Sequence, residues 1–362
     1  MTNPNSAPFL RLIRRPQMKA GKAWIIRIAS FAAAILIGAI LFLLIGNDPV
    51  EAYGTILSGS LGKASGIRQT VKLAIPLLGT GLALAPCFKM RYWNIGAEGQ
   101  ITAGAVAAAF FALNMPTTTK PLLLIIMAVS AALVGGLWAA IPAVFKAKWN
   151  TNETLFTLMM NYIAIGIVKW LQGGPWEGKP GSQIIPNFAD NAILPKVFGI
   201  HCGWIIVLVL VVVIYIYMDY TKHGYEIAVI GDSINTARYA GMNVGRVIIR
   251  TAFLSGAICG LVGYMVASGA HNTLYSDVAA GVGFTAITVA WLSQLNPFAM
   301  IIISSLLAVF EKGASSLQTK LAIPASMSDI ITGIFLFCML ACEFFINYKM
   351  IFRSGRKEKS ES

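Results

Sequence analysis

The chain has 362 residues, 57% of them hydrophobic and 12% charged, with a formal net charge of +13 and a mean hydropathy of +0.71. A soluble domain carries roughly 25% charged residues, so this composition excludes an ordinary soluble enzyme and identifies a polytopic membrane protein. The positive charge does not call for nucleic acid: basic residues gather in the N-terminal tail (Arg11, Arg14, Arg15, Lys19, Lys22, Arg27) and the C-terminal tail (Lys349, Arg353, Arg356, Lys357, Lys359), flanking apolar runs as positive-inside anchors beside membrane lipid.

Ten spans are predicted in chain order, at about 24–46, 69–88, 95–113, 121–145, 153–172, 203–218, 247–268, 280–295, 298–313 and 327–347. The expected fold is an all-α membrane protein, a helical bundle of about 10 transmembrane helices over 24–347, with cytoplasmic basic tails at 1–23 and 348–362. The eighth and ninth spans are short and read equally as a hairpin or re-entrant pair, with Pro297 marking the turn between them. The first run is longer than a signal-peptide core and has no clear cleavage site, so it stays as a span.

Ten spans put both termini in the cytoplasm. The even connections then carry Lys89 and Arg91, Lys146 and Lys148, and Lys222, Arg238, Arg246 and Arg250, while the odd ones are poorer in charge. Lys312 and Lys320 are the exception, falling outside. The Gly- and Pro-rich stretch 173–202 is expected to be external and irregular. Small residues in the third span form two rows, Gly96, Gly104 and Ala108, and Gly99, Ala103 and Ala107, which allow close helix packing in lipid. Cys87, Cys202, Cys259, Cys338 and Cys342 fit no zinc spacing, and neither a disulfide nor a metal is expected.

Glu98, in RYWNIGAEGQITAG, is the only acid between Glu51 and Glu153. Asn94 is a plausible N-cap for a helix starting at Ile95, which puts Glu98 in the first or second turn, where the helix N-terminus favours negative charge. Two readings stay open: an acid satisfied near the cytoplasmic boundary, with Lys89 and Arg91 close in sequence, or an acid marking a pathway or gate. In the fifth span Asn161 is either an interhelical hydrogen-bonding amide or a polar contact for a solute. Residues 219–246 form a polar, basic segment between apolar runs. Asp232 or Ser233 can cap a helix of seven or eight residues, I-N-T-A-R-Y-A, that Gly241 ends in the left-handed conformation, and the spans are expected to bury none of it. Ile234 and Tyr239 would be its knobs toward a partner; a plain solvated loop is the alternative.

Three stretches carry a family resemblance. YWNIGAEGQ resembles the FNIGAEGQ motif of permease subunits of ABC importers for nucleosides and related simple-sugar compounds, which work with binding lipoproteins of the basic-membrane-protein type. NETLFTLMMNYIA (152–164) and GYEIAVIGDSINTARYAGMNVGR (224–246) are similar to two further runs of that family; Asp232 and Thr236 depart from its commoner Asn and Ala. The resemblance covers roughly 65–345. It implies a permease domain at 24–347 and a nucleoside as cargo, with another sugar-like solute or riboflavin as the alternative. It also implies pathway or gate roles for Trp93, Asn94, Glu98, Gln100 and Asn161. Gly231, Asp232, Ser233, Ala237, Arg238, Tyr239 and Gly241 would form a coupling segment that rides on an ATPase. Implied partners are an ABC ATPase subunit with two nucleotide-binding domains in one chain, a second homologous but unlike permease, and the lipoprotein.

The chain has no G-x-x-x-x-G-K-[ST] loop, so it is expected to bind no cofactor and to leave ATP to the partner ATPase; it also lacks a nucleophile elbow, an H-E-x-x-H and paired catalytic carboxylates. The expected function is a non-enzymatic translocation subunit. An ion-coupled secondary transporter, the competing class, would need paired ionisable groups near the membrane middle or an inverted repeat, and the sequence has neither.

Overall fold

The structure is a computed structural model describing residues 10–14 and 20–352. The predicted anchors Arg15, Lys19, Arg353, Arg356, Lys357 and Lys359 lie outside the described residues. The chain divides into two compact units, Met1–Thr55 with Leu317–Ser362, and Ile56–Ser316.

In the first unit, α1 (Ala20–Leu44) packs on α13 (Ala325–Asn347), with Phe31 and Phe335 rings 5.9 Å apart. A short helix that the hydropathy pattern does not reveal, α2 (Pro49–Ser60), begins in this unit; Tyr53 donates to the Ile35 carbonyl at 2.7 Å and meets Phe42 edge-on at 5.4 Å. Strand β1 (Leu10–Arg14) pairs antiparallel with β4 (Tyr348–Phe352), so the chain before α1 and the chain after α13 lie side by side.

The second unit holds α3 (Ala64–Lys89), α4 (Ala97–Asn114), α5 (Lys120–Trp149), α6 (Glu153–Gln172), α7 (Gly203–Tyr220), α8 (Lys222–Asp232), α9 (Ile234–Tyr239), α10 (Val244–Met265), α11 (Val282–Leu292) and most of α12 (Pro297–Leu321). Every predicted span contains a helix. Among the described residues six helices are long and apolar enough to cross a membrane. α3 and α10 are the most buried of these and form the centre, whereas α5, α6 and α7 turn most of their apolar surface outward, as lipid-facing helices do.

Helices α4, α5 and α10 meet backbone to backbone. A Cβ on Gly104 would stand 2.3 Å from Gly260 Cα, and one on Gly260 would stand 2.1 Å from the Ala131 carbonyl oxygen. In lipid the hydrophobic effect does little to drive helices together, so such close van der Waals contact carries the packing.

One predicted span is shorter than expected and another is longer. The eighth, 280–295, is α11, only 11 residues long, which gives about 16 Å at 1.5 Å per residue, half of a ~30 Å hydrocarbon core. It is a half-helix, preceded by a π-helical turn at Val266–His271 and an irregular return through 272–281. The ninth is the 25-residue α12, long enough to span, with Pro297 as its first residue where a missing N–H costs nothing. The 173–202 stretch is irregular as expected, but it is anchored: Phe188 N–H donates to Asn272, Leu194 N–H to Ser268, and the hairpin of β2 (Lys196–Val197) and β3 (Ile200–His201) leads into α7.

Candidate functional site

The N-terminus of α4 is the polar centre of the second unit. Its N-cap is Gly96, not Asn94 as the sequence suggested, and the helix starts at Ala97. Asn94 is fully buried and still acts at this end: its Oδ1 accepts the Gly96 N–H at 3.0 Å and the Gln100 amide at 2.9 Å, while its Nδ2 donates to Gln100 Oε1 and to Ser255 on α10, both at 3.2 Å. Helix α6 completes the cap. Asn161 Oδ1 accepts the Gly99 N–H at 2.8 Å and its Nδ2 donates to the Ile95 carbonyl at 3.0 Å; one turn earlier Thr157 Oγ1 accepts the Ile95 N–H at 3.2 Å. The stretch NIGAEGQ and the stretch NETLFTLMMN are therefore two halves of one joint, and Asn161 is the interhelical bond that its residue type suggested.

Glu98 projects from this joint to a third element. Its Oε1 accepts the Gly281 N–H and its Oε2 the Gly283 N–H, each at 2.7 Å, and the residue is 5% exposed. Gly281 and Gly283 are the N-cap and second residue of α11, so the carboxylate sits on donors that a helix start leaves without internal partners, at the positive end of its dipole. Glycine is required twice here. Gly281 has φ of 76°, and a Cβ on Gly283 would fall 2.4 Å from the Glu98 nitrogen. Among the sequence neighbours considered as partners, Lys89 instead pairs with Asp219 at 3.2 Å.

On the other side of the α11 start lies a cavity of about 440 Å³. Its wall is apolar at Leu73, Ile75, Pro76, Val266 and Val282, and polar at Gln69, Lys72, His201, His271, Glu311 and Lys312. His201 is 2% exposed, fitted against Gly203 and Gly269, and its Nδ1 has no hydrogen-bond partner. Burial, with the nearby Lys72 charge, pushes its pKa down to about 4, so the imidazole is neutral at physiological pH. The cavity combines apolar walls with hydrogen-bond donors and acceptors around its rim, as small-molecule sites do. Sequence reading missed it. The available signal is the odd placement of Lys72, Glu311 and Lys312 inside or beside predicted spans.

Trp93 stands apart from the other pathway candidates. It is 45% exposed and groups with Trp291 at 5.5 Å and Phe88 at 5.8 Å, at the far end of α11 from Glu98. The half-helix thus runs from the cavity and carboxylate at its start to an aromatic cluster at its finish. Asn94, Glu98, Gln100 and Asn161 are brought together, and their polar atoms bond one another, backbone or Ser255.

The coupling candidates form a corner at the opposite end from His201. Ser233 caps α9, its Oγ accepting the Thr236 N–H at 3.3 Å, and Gly241 follows the helix with φ of 74°, as read from the sequence. α9 has six residues rather than seven or eight, and a second helix, α8, precedes it. Gly231 lies against the Lys89 carbonyl, where a Cβ would be 2.1 Å away. Asp232, Arg238 and Tyr239 are exposed, Tyr239 at 93%. One expectation is overturned: Ala237 is fully buried, in a cluster with Cys87, Met90, Ile227, Ile230 and Val247, so the segment is bolted to the bundle through its inner face. Glu226 on α8 ties it to α10 through Arg250 at 2.9 Å. Burial alone would raise the Glu226 pKa, but Arg250 and His223 outweigh it and hold the carboxyl below its ordinary value.

Residues 66–340 match the family described as "Branched-chain amino acid transport system / permease component". The chain is 30% identical over 355 residues to a glucose ABC transporter permease protein of Haloferax volcanii, covering 94% of this chain and 93% of that one. It is 27% identical over 332 residues to a guanosine ABC transporter permease protein of Bacillus subtilis, with 89% and 93% covered. It is 26% identical over 327 residues to a nucleoside ABC transporter permease protein of Lactococcus lactis subsp. cremoris, with 86% and 88% covered. The chain belongs to the branched-chain amino acid transport system / permease component family and is a multi-pass membrane permease subunit of an ABC transporter.

Proposed function

We propose that this subunit imports a nucleoside or a related sugar-containing solute, and that the 440 Å³ cavity against the α11 start is the outward-facing part of its pathway. That cavity is the observation that carries the reading. Its volume lies in the range of roughly 300–1,000 Å³ usual for small-molecule sites. Its rim of Gln69, Lys72, His201, His271, Glu311 and Lys312 offers donors and acceptors to hydroxyls and ring nitrogens. The relatives named for guanosine, nucleosides and glucose support the same solute class.

In this reading an external binding lipoprotein delivers the solute, a second permease completes the path, and a separate ATPase subunit carrying both nucleotide-binding domains hydrolyses ATP. The exposed face of α9 docks in a groove of the ATPase. Since α9 is fixed through Ala237 to the cluster around the ends of α3 and α10, closure of the ATPase moves those helices as a body. The subunit sits in the cell membrane with both termini cytoplasmic, an orientation supported by the basic connections and by the pairing of β1 with β4.

The test is uptake of radiolabelled nucleosides and glucose into proteoliposomes holding the assembled transporter. ATP-dependent, vanadate-sensitive nucleoside uptake that ignores ionophores is the expected result. Uptake that ignores vanadate and collapses with an ionophore would instead place the chain among ion-coupled carriers.

A further inference from the structure

Helix α5 carries a row of large exposed apolar side chains that winds around its outer surface: Ile125, Val129, Leu133, Leu137, Ile141 and Phe145 are 39–60% exposed, and Trp149 ends the row at 62%. The row advances four residues at a time and is about 36 Å long at 1.5 Å per residue, enough to cross a ~30 Å hydrocarbon layer. Its last turn therefore lies at headgroup level, with Phe145 and Trp149 rings 5.0 Å apart and Lys148 Nζ 5.8 Å from the Trp149 ring.

At that level the end of α5 and the first turns of α10 enclose a groove of about 540 Å³. Its floor is Ala147, Gly245, Ile249 and Phe253, and its rim carries Lys148, Arg246 and Arg250. No acid lines it. Arg250 is engaged with Glu226, which leaves Lys148 and Arg246, both exposed, as the positive pair over an apolar floor. The exposed face of α9 presents Ile234, Arg238 and Tyr239, and none of these lines the groove.

We propose that this groove binds the headgroup of an anionic phospholipid of the cytoplasmic leaflet, its phosphate between Lys148 and Arg246 and its acyl chains against the apolar side chains at the end of α5. Charge complementarity over an apolar floor, at the level where Lys148 stands beside the Trp149 ring, selects lipid over a soluble protein segment. The site flanks the corner between α9 and α10, because Asn243, Arg246 and Arg250 also line the neighbouring groove that contains Gly241 and Met242. A bound headgroup thus steadies the mount of the coupling segment. The proposal is independent of which solute is carried.

The test is native mass spectrometry of the detergent-solubilised transporter after exposure to phosphatidylglycerol or phosphatidylcholine, for the wild type, Lys148→Gln, Arg246→Gln and the control Lys196→Gln on the opposite side. The expected result is preferential retention of phosphatidylglycerol by the wild type and the control. Each groove variant should lower it about fivefold, the effect of one basic residue near an anionic surface. Should a groove variant fail to assemble, the wild type alone remains informative: its preference should fade as salt is raised. Equal retention of the two lipids by the wild type would overturn the proposal. So would variants that keep phosphatidylglycerol but lose the ATPase subunit, since the groove would then be part of the ATPase dock.

Discussion

Glu98 Oε2 accepts the N–H of Gly283 at 2.7 Å across 185 positions of sequence, and this contact fixes the half-helix α11 on the start of α4. Two charge-assisted bonds of this kind contribute about 1.5–3 kcal/mol each. Glu98→Gln keeps one accepting oxygen but turns an amide N–H toward a backbone N–H, and Glu98→Ala leaves both α11 donors without the carboxylate. Thermal unfolding of the purified transporter should fall in the order wild type, Gln, Ala, and uptake should fall with it. Gly283→Ala should be at least as damaging, because its Cβ would enter the Glu98 backbone. Wild-type transport by both Glu98 variants would make the carboxylate incidental.

Asn161 satisfies one donor and one acceptor of the α4 start from inside α6. Asn161→Leu leaves both without that partner in a buried place, at about 1–3 kcal/mol for each group. The expected outcome is a lowered melting temperature, with the KM of surviving transport unchanged. A raised KM at unchanged stability would mean that Asn161 touches the solute.

Tyr239 and Ala237 are two residues apart on α9 and separate the docking role of the segment from its anchoring role. Tyr239 is almost wholly exposed, so Tyr239→Ala should leave stability within about 0.5 kcal/mol while abolishing solute-stimulated ATP hydrolysis. Arg238→Glu should act in the same direction and more mildly, as rim charges do. Ala237→Pro should instead lower expression and melting temperature along with coupling, because it breaks the helix inside a packed cluster. Unchanged coupling in Tyr239→Ala would make α9 a plain surface turn.

His201 supplies a pH signature. Its folded pKa of about 4 lies below the ordinary 6.5, so its neutral form is favoured by folding. The stability linked to it is complete above pH 6.5 and is lost as pH falls toward 4, on the order of 3 kcal/mol in all at 1.36 kcal/mol per unit. Melting temperatures of wild type and His201→Asn should therefore converge or cross as pH drops through that window. Parallel curves would show that the imidazole is not buried as described.

Much of this was legible in the chain. The long helices fall where the apolar runs do, and the helix-start chemistry of Ser233 was written in its side chain. The two motifs named the residues of the α4 joint. What they could not name was the partner of Glu98, because Gly281 and Gly283 meet it with backbone N–H groups, which leave no trace in residue type. α11 misled for a related reason: an apolar half-helix and an apolar span look alike until the irregular 272–281 return is visible. The cavity was illegible because its rim draws Lys72, His201, His271 and Lys312 from four separate stretches. Ala237 was misjudged because a small residue in a polar segment gives no pattern of burial.

The most direct test of the pathway is the accessibility of Val282, the first residue of α11 and part of the cavity wall. A single Val282→Cys is placed in a transporter whose Cys87, Cys202, Cys259, Cys338 and Cys342 have been replaced, and a membrane-impermeant maleimide is added to one side at a time. The expected result is labelling from outside only, slowed when a transported nucleoside occupies the cavity. Labelling from the cytoplasmic side alone would contradict the orientation, and outside labelling that no nucleoside slows would contradict the assignment of the cavity as the solute path.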